Sequence, residues 1–238
     1  MFPIKDSVPT RTTPILTIAL IAANVLVWIL YEDAGQSPGY EAAINELAYH
    51  PCEVENSCGQ VGEDWPITAF TSMFMHADWL HLLGNMLFLW IFGNNIEDLL
   101  GRVRFVVFYL LAGLAATAAQ TFVTLGYGSP EDGQIANLGA SGAIAGVLGA
   151  YVLILPRGRV LTWIMPIFLF EIPAFAYLGI WFVFQLIEGG YAFVHPQSGG
   201  GVAYFAHIGG FVFGLLAIKL FATSIHEDYE RQHRIPVY

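Results

Sequence analysis

The run from Phe105 to Pro130, FVVFYLLAGLAATAAQTFVTLGYGSP, carries no charged side chain over 26 residues. A helix crosses the hydrocarbon core of a bilayer with about 20 apolar residues, so this stretch reads as a span. Working outward, Pro14 to Tyr31, Trp79 to Ile96, Gly133 to Pro156 and Gly189 to Ile218 are equally free of charge, and Glu171 alone interrupts the stretch between Arg159 and Glu188. Six helices are expected, near 14–32, 79–96, 104–126, 140–155, 170–188 and 202–222. Residues 160–169, which include Pro166 and sit close to Pro173, read as an interfacial segment leading into the fifth helix. Composition agrees: 56% of residues are hydrophobic and 12% charged, with mean hydropathy +0.59. Soluble domains carry about 25% charged residues. A net charge of −10 leaves no basic face for nucleic acid, and the hydrophobicity excludes disorder. The fold class is all-α, a polytopic membrane protein.

The nine basic residues fix the expected orientation. Lys5 and Arg11 precede the first helix, Arg102 and Arg104 follow the second, Arg157 and Arg159 follow the fourth, and Lys219, Arg231 and Arg234 close the sixth. The 33–78, 127–139 and 189–201 loops contain no Lys or Arg. With six spans every basic residue falls on one side, which the positive-inside rule makes cytoplasmic. Both termini are then cytoplasmic: segment 1–13, a six-helix membrane domain over 14–222 with an external acidic loop at 33–78, and a tail at 223–238. The first helix is longer than the roughly 7–15-residue core of a signal peptide and lacks a small-residue cleavage site, so it reads as an uncleaved anchor. The plasma (cytoplasmic) membrane is the expected location.

Polar groups at membrane depth are costly and default to functional hypotheses. His76, His81 and Asn85 lie near the start of the second helix, and His81 and Asn85, four apart, share one face. A polar packing seam is the competing reading. Gly139-Ala140-Ser141-Gly142 opens the fourth helix. Taken alone, this motif reads first as a helix cap or a small-residue seam. Length shifts the balance: Ser141 to Leu155 makes about 22 Å of helix against a core of about 30 Å. Ser141 is therefore sunk below the external surface, and the backbone before it needs cover by protein or a wet cavity. On the sixth helix, Ala206, Gly210 and Gly214 form a small-residue stripe, matched by Gly142, Gly146 and Ala150 on the fourth. If the stripes face one another, His207 and Ser141 reach similar depth. Serine needs a base within hydrogen-bond reach, and a neutral His207 supplies one. Asp78, beside the cluster, is a weak candidate for a third member, so a Ser–His dyad is the economical reading. His81, Asn85 and the Ser141 N–H fit as donors to an oxyanion.

These motifs resemble those of the rhomboid intramembrane serine proteases. His76-Ala77-Asp78-Trp79-Leu80-His81-Leu82-Leu83-Gly84-Asn85 is similar to the family's second-helix motif. Gly139-Ala140-Ser141-Gly142-Ala143-Ile144 is similar to its nucleophile motif, and Ala206-His207-Ile208-Gly209-Gly210-Phe211-Val212-Phe213-Gly214 to its base-bearing sixth helix. Glu97-Asp98-Leu99-Leu100-Gly101-Arg102 resembles the acidic-Gly-Arg element after the second helix. The resemblance covers about residues 14–222. It implies a six-helix bundle that cleaves other transmembrane helices near the external face, with Ser141 as nucleophile, His207 as general base, and His81 and Asn85 as oxyanion donors. His76, Gly139, Gly142 and Gly210 support the site. Partners are transmembrane protein substrates and the lipid bilayer, with no metal, no small-molecule cofactor and no nucleic acid. The alternative is a catalytically inactive rhomboid-like membrane protein that binds transmembrane clients; a transporter using the same His residues and Glu171 is a further rival.

Two positions depart from the family pattern. Some members carry an aromatic ring four residues after the serine, stacked on the catalytic histidine; here that position is Ala145. Some have a Trp-Arg pair in the first loop; the stretch near Ile67 and Thr68 lacks the Arg. Entry between the second and fifth helices is expected, and the glycine-rich 189–201 loop (Gly189, Gly190, Gly199, Gly200, Gly201) reads either as a mobile lid over the site or as a flexible connector. Cys52 and Cys58 are expected to pair as a disulfide, with a metal site including His50 as the alternative. Glu171 and Glu188 are expected to anchor the ends of the fifth helix.

Overall fold

The computed structural model describes residues 1–58, 64–164, 166, 168–194 and 202–222. The 223–238 tail, with Arg231 and Arg234, and the Gly199–Gly201 part of the expected lid lie outside the described residues.

The chain is mostly helical. α1 runs Ile15–Leu30, and the first long connection folds into α2 (Gly39–Leu47) and α3 (Trp65–Thr71) with short 3-10 turns between them. α4 (Trp79–Phe88) continues through a π turn (Leu89–Gly93) into α5 (Asn94–Leu100), so the expected second helix extends to residue 100. Gly101, at φ +74°, takes a left-handed conformation that glycine adopts without cost, and it separates α5 from α6 (Arg102–Tyr127). α7 runs Ser141–Ile154, α8 Ala174–Val194 and α9 Tyr204–Phe221. Among the described residues, α6 and α9 are long and apolar enough to cross a membrane, and α1 and α7 are shorter apolar helices. The outward faces are apolar, with Leu111, Leu114 and Phe122 of α6, Val183 and Phe184 of α8, and Leu216 and Leu220 of α9 all exposed. Such a continuous apolar surface suits lipid and not water.

α7 is the centre. Every residue from Gly142 to Tyr151 is buried. The two small-residue stripes do face one another: a Cβ built on Gly210 would fall on the Gly142 carbonyl, and one on Gly214 on the Gly146 carbonyl. The contact extends to Gly149, whose added Cβ would meet the Phe211 carbonyl; Ala150, the third member expected on α7, is buried but is not the residue in that contact. The backbones of α7 and α9 therefore touch, as small-residue helix pairs allow.

The structure departs from four expectations. The all-α class omits a three-stranded antiparallel sheet, β1 (Phe2–Asp6), β2 (Arg159–Ile164) and β3 (Phe168–Pro173), in the order β1-β2-β3. The segment 160–169 is mostly strand, and the fifth helix starts at Ala174, after Pro173, and not near 170. Glu171 accordingly sits on β3, where its carboxylate lies 3.7 Å from Arg159 across the strands, and does not anchor a helix end. Gly189 and Gly190 lie within α8 and not in a loop. Pairing of β1 with β2 puts the segment before α1 and the α7–α8 connection at one end of the bundle. Asp6 reinforces this, accepting hydrogen bonds from Tyr151 Oη (2.6 Å) and Asn95 Nδ2 (2.8 Å).

The acidic-Gly-Arg element has a structural task. Glu97, 2% exposed, accepts from the N–H groups of Leu16 and Thr17 and from Thr17 Oγ1, at 3.0, 2.7 and 2.8 Å. Asp98 accepts from the N–H groups of Arg11 and Thr12 and from Thr12 Oγ1. Glu97 thus satisfies otherwise unpaired donors in the first turn of α1, and Asp98 holds the segment that leads into it. Glu97→Ala is expected to destabilise the fold by about 2 kcal/mol or more, lowering Tm by roughly 4–8 °C. A melt in detergent within 1 °C of wild type would remove this role.

Candidate active site

Ser141 opens α7 and His207 lies in the first turn of α9. The Gly142/Gly210 contact is one residue beyond the serine and three beyond the histidine, so the helix seam sets their separation. The Ser141 Oγ to His207 Nε2 distance is 2.8 Å. On its other side, His207 Nδ1 lies 2.7 Å from Gln185 Oε1 of α8. The Trp181 ring is 5.9 Å from the imidazole, tilted by 39°.

α4 carries His81 and Asn85. Asp78 caps this helix by accepting from the His81 N–H at 2.8 Å, so its carboxylate is engaged there and not with His207. His81 Nδ1 accepts from the Ala77 N–H at 3.3 Å. A neutral imidazole carries one ring proton, so the proton of His81 belongs on Nε2. That nitrogen faces the serine turn: a Cβ on Gly139 would fall 2.9 Å from it and 3.5 Å from Ser141 Oγ. Gly139 also has φ +124°, so its missing side chain is needed for both space and conformation. Asn85 lies one turn beyond His81; it is buried, and its Nδ2 has no partner among the described residues. The N–H of Ser141 lies in the first turn of α7, where helix N–H groups lack an intrahelical partner.

The backbone before Ser141 is covered by protein. Asn137 exchanges backbone hydrogen bonds with Tyr49, and the Gly139 N–H donates to the Ser72 carbonyl at 2.8 Å. A cavity of about 40 Å³ lined by Ser72, Gln120, Asn137, Gly139 and Ser141 adjoins the turn, enough for a water with polar partners.

His76, before α4, is fully buried, with its ring 5.1 Å from that of His81 and edge-on to it. Its backbone N–H donates to Glu32 Oε1 at 2.9 Å. Burial holds the His76 imidazole below its usual range and so favours the neutral ring, which packs edge-on against His81. Ala145 is buried against the seam, its Cβ 3.4 Å from a Cβ built on Gly210, and presents no ring to His207. Cys52 and Cys58 are joined in a disulfide, and His50 Nδ1 pairs with Glu53 Oε1 at 3.0 Å. Two residues that the sequence reading passed over are in place here. Glu32 ends the first charge-free stretch, and Gln185 is a lone amide in an apolar helix, the kind of group that polarity at membrane depth flags.

The model of the rhomboid domain matches residues 63–224. The chain is 29% identical over 170 residues to Rhomboid protein 1, mitochondrial, of Saccharomyces cerevisiae, covering 70% of this chain and 45% of that protein. It is 34% identical over 146 residues to Rhomboid protease GluP of Bacillus subtilis, covering 61% and 26%. It is 37% identical over 100 residues to the Homo sapiens presenilin-associated rhomboid-like protein, mitochondrial, covering 42% and 25%. The chain thus spans less than half of the length of these relatives.

Proposed function

Because the chain belongs to the rhomboid family of membrane proteins, we propose that it is an intramembrane serine endopeptidase that cuts transmembrane helices of other proteins. One observation carries the reading: the 2.8 Å Ser141 Oγ–His207 Nε2 contact, formed between two apolar helices whose backbones touch. Ser141 Oγ attacks the scissile carbonyl as His207 Nε2 takes its proton. Negative charge builds on the carbonyl oxygen and is met by His81 Nε2–H, Asn85 Nδ2–H and the Ser141 N–H, a preformed donor set. His207 then protonates the leaving amine; water attacks the acyl-enzyme as His207 Nε2 takes its proton, and that proton passes to Ser141 Oγ as the acyl–oxygen bond breaks and the carboxylic acid leaves.

The six-span bundle with both termini cytoplasmic remains the proposed topology. β1–β2 pairing supports it by holding two of the basic segments at one end. A substrate helix hides its carbonyls in internal hydrogen bonds and must unwind before cleavage, so substrates with Gly, Pro or polar residues near the external face are favoured. Entry is proposed between α4 and α8. The cytoplasmic (plasma) membrane is the proposed location. The names of the yeast and presenilin-associated relatives bring in a mitochondrial membrane as the alternative, and density-gradient fractionation of source cells separates the two.

The test is fluorophosphonate labelling of the full chain in mild detergent, with the modified residue located by mass spectrometry. Adduct on Ser141, lost in His207→Ala, is the expected result. A folded chain that takes no label at Ser141 would overturn the protease reading and favour an inactive client binder.

A further inference from the structure

We propose that Gln185 is the positioning residue of His207, selecting the imidazole tautomer that lets it act as a base. The proposal rests on the protease reading above and supplies what that reading lacks. Ala145 offers no ring to hold the imidazole, and Asp78 is spent on the cap of α4. Gln185 is the group hydrogen-bonded to the face of His207 away from the serine, with Oε1 2.7 Å from Nδ1.

Neutral imidazole has one N–H and one lone pair, and which nitrogen holds the proton is set by the partner of the other. An amide oxygen only accepts. Facing Nδ1 at 2.7 Å, it favours the tautomer with the proton on Nδ1 and leaves the Nε2 lone pair toward Ser141 Oγ. In the opposite tautomer two lone pairs would confront each other at Gln185, and Nε2–H would donate to the serine and leave it unactivated. The amide itself is held: Gln185 Nε2 donates to the Trp181 carbonyl one turn earlier at 3.5 Å, which turns the NH₂ away from the imidazole. Trp181 flanks His207 on the same helix, its ring 6.0 Å from Phe211. A neutral amide does here what a carboxylate does in soluble triads, without placing a further charge in an apolar setting. α8 thereby becomes a third wall of the site, alongside α7 and α9.

Two readouts test this. The first is the ¹⁵N spectrum of His207 in the full wild-type chain, assigned by its loss in His207→Ala. Proton on Nδ1 is expected; proton on Nε2 overturns the proposal whatever any variant does. The second compares Gln185→Met, which keeps length and loses the acceptor, Gln185→Asn, which keeps the amide and loses reach, and Gln185→Glu, which keeps the acceptor. Fluorophosphonate labelling rates and kcat on a model transmembrane substrate in proteoliposomes are expected to fall about 10–100-fold in the Met and Asn variants. KM is expected to stay within about twofold, and the Glu variant to recover most of the rate. Met and Asn variants that fold and label at the wild-type rate overturn the role. If wild type takes no label, the protease reading falls, while the wild-type tautomer still decides the assignment of Gln185.

Discussion

Ser141→Ala and His207→Ala are each expected to abolish cleavage of a model transmembrane substrate in proteoliposomes, with a loss of about 10⁴-fold or more. That corresponds to about 5.5 kcal/mol of transition-state stabilisation. Both losses should be of similar size, because the hydroxyl and the imidazole 2.8 Å away act as one unit, and a unit broken at either member loses nearly all its effect. Asn85→Ala should fall between these variants and wild type, with kcat down about 10²–10³-fold, since its unpartnered Nδ2 is one donor among several. Melting points close to wild type separate lost chemistry from lost fold. Either dyad variant cutting at the wild-type rate would sink the assignment.

Gly214→Val should be nearly as damaging by a different route. Its Cβ would occupy the place of the Gly146 carbonyl oxygen, and backbone cannot rotate out of the way as a side chain can. The helices must part, at a cost of about 1–3 kcal/mol or more for overpacking. His207 rides on the displaced helix, and a shift of about 1 Å can cost 10²-fold in rate. Lowered Tm together with activity reduced at least 10²-fold is expected. Leu216→Ala is the control: this side chain is 72% exposed on the same helix and its truncation should leave both quantities near wild type. Full activity and an unshifted melt for Gly214→Val would show that α7 and α9 need not touch.

The parts of this fold that local pattern encodes were legible in the chain. Charge-free stretches marked the helices because a long apolar helix admits few charges. The stripes Ala206/Gly210/Gly214 and Gly142/Gly146 announced a close crossing because only small residues permit one, and that crossing puts the hydroxyl beside the imidazole. The sheet was illegible for the opposite reason. Val160–Ile164 is an apolar run beside a proline, and its partner Phe2–Asp6 lies at the far end of the sequence, so no local period reveals the pairing. The fifth helix was misplaced by the same omission, since β3 carries apolar residues up to Pro173. Gln185 stands in the sequence as a lone amide and Glu32 as the charge that closes the first silent stretch, but neither names a partner; the packing of α8 on α9 and of the end of α1 beside the His76 segment supplies one.

The β1–β2 pairing carries a cost in timing. The hydrogen bond from the Arg159 N–H to Ser7 Oγ joins residues 152 apart. At about 5–20 residues per second of ribosomal elongation, the earlier strand waits roughly 8–30 s for its mate. Until then its edge is an unpaired template open to other chains. The sheet therefore acts as a clasp that fastens only after α1–α7 have been made, and nascent chains stalled before residue 164 should be the ones most exposed to mispairing and to capture by quality control.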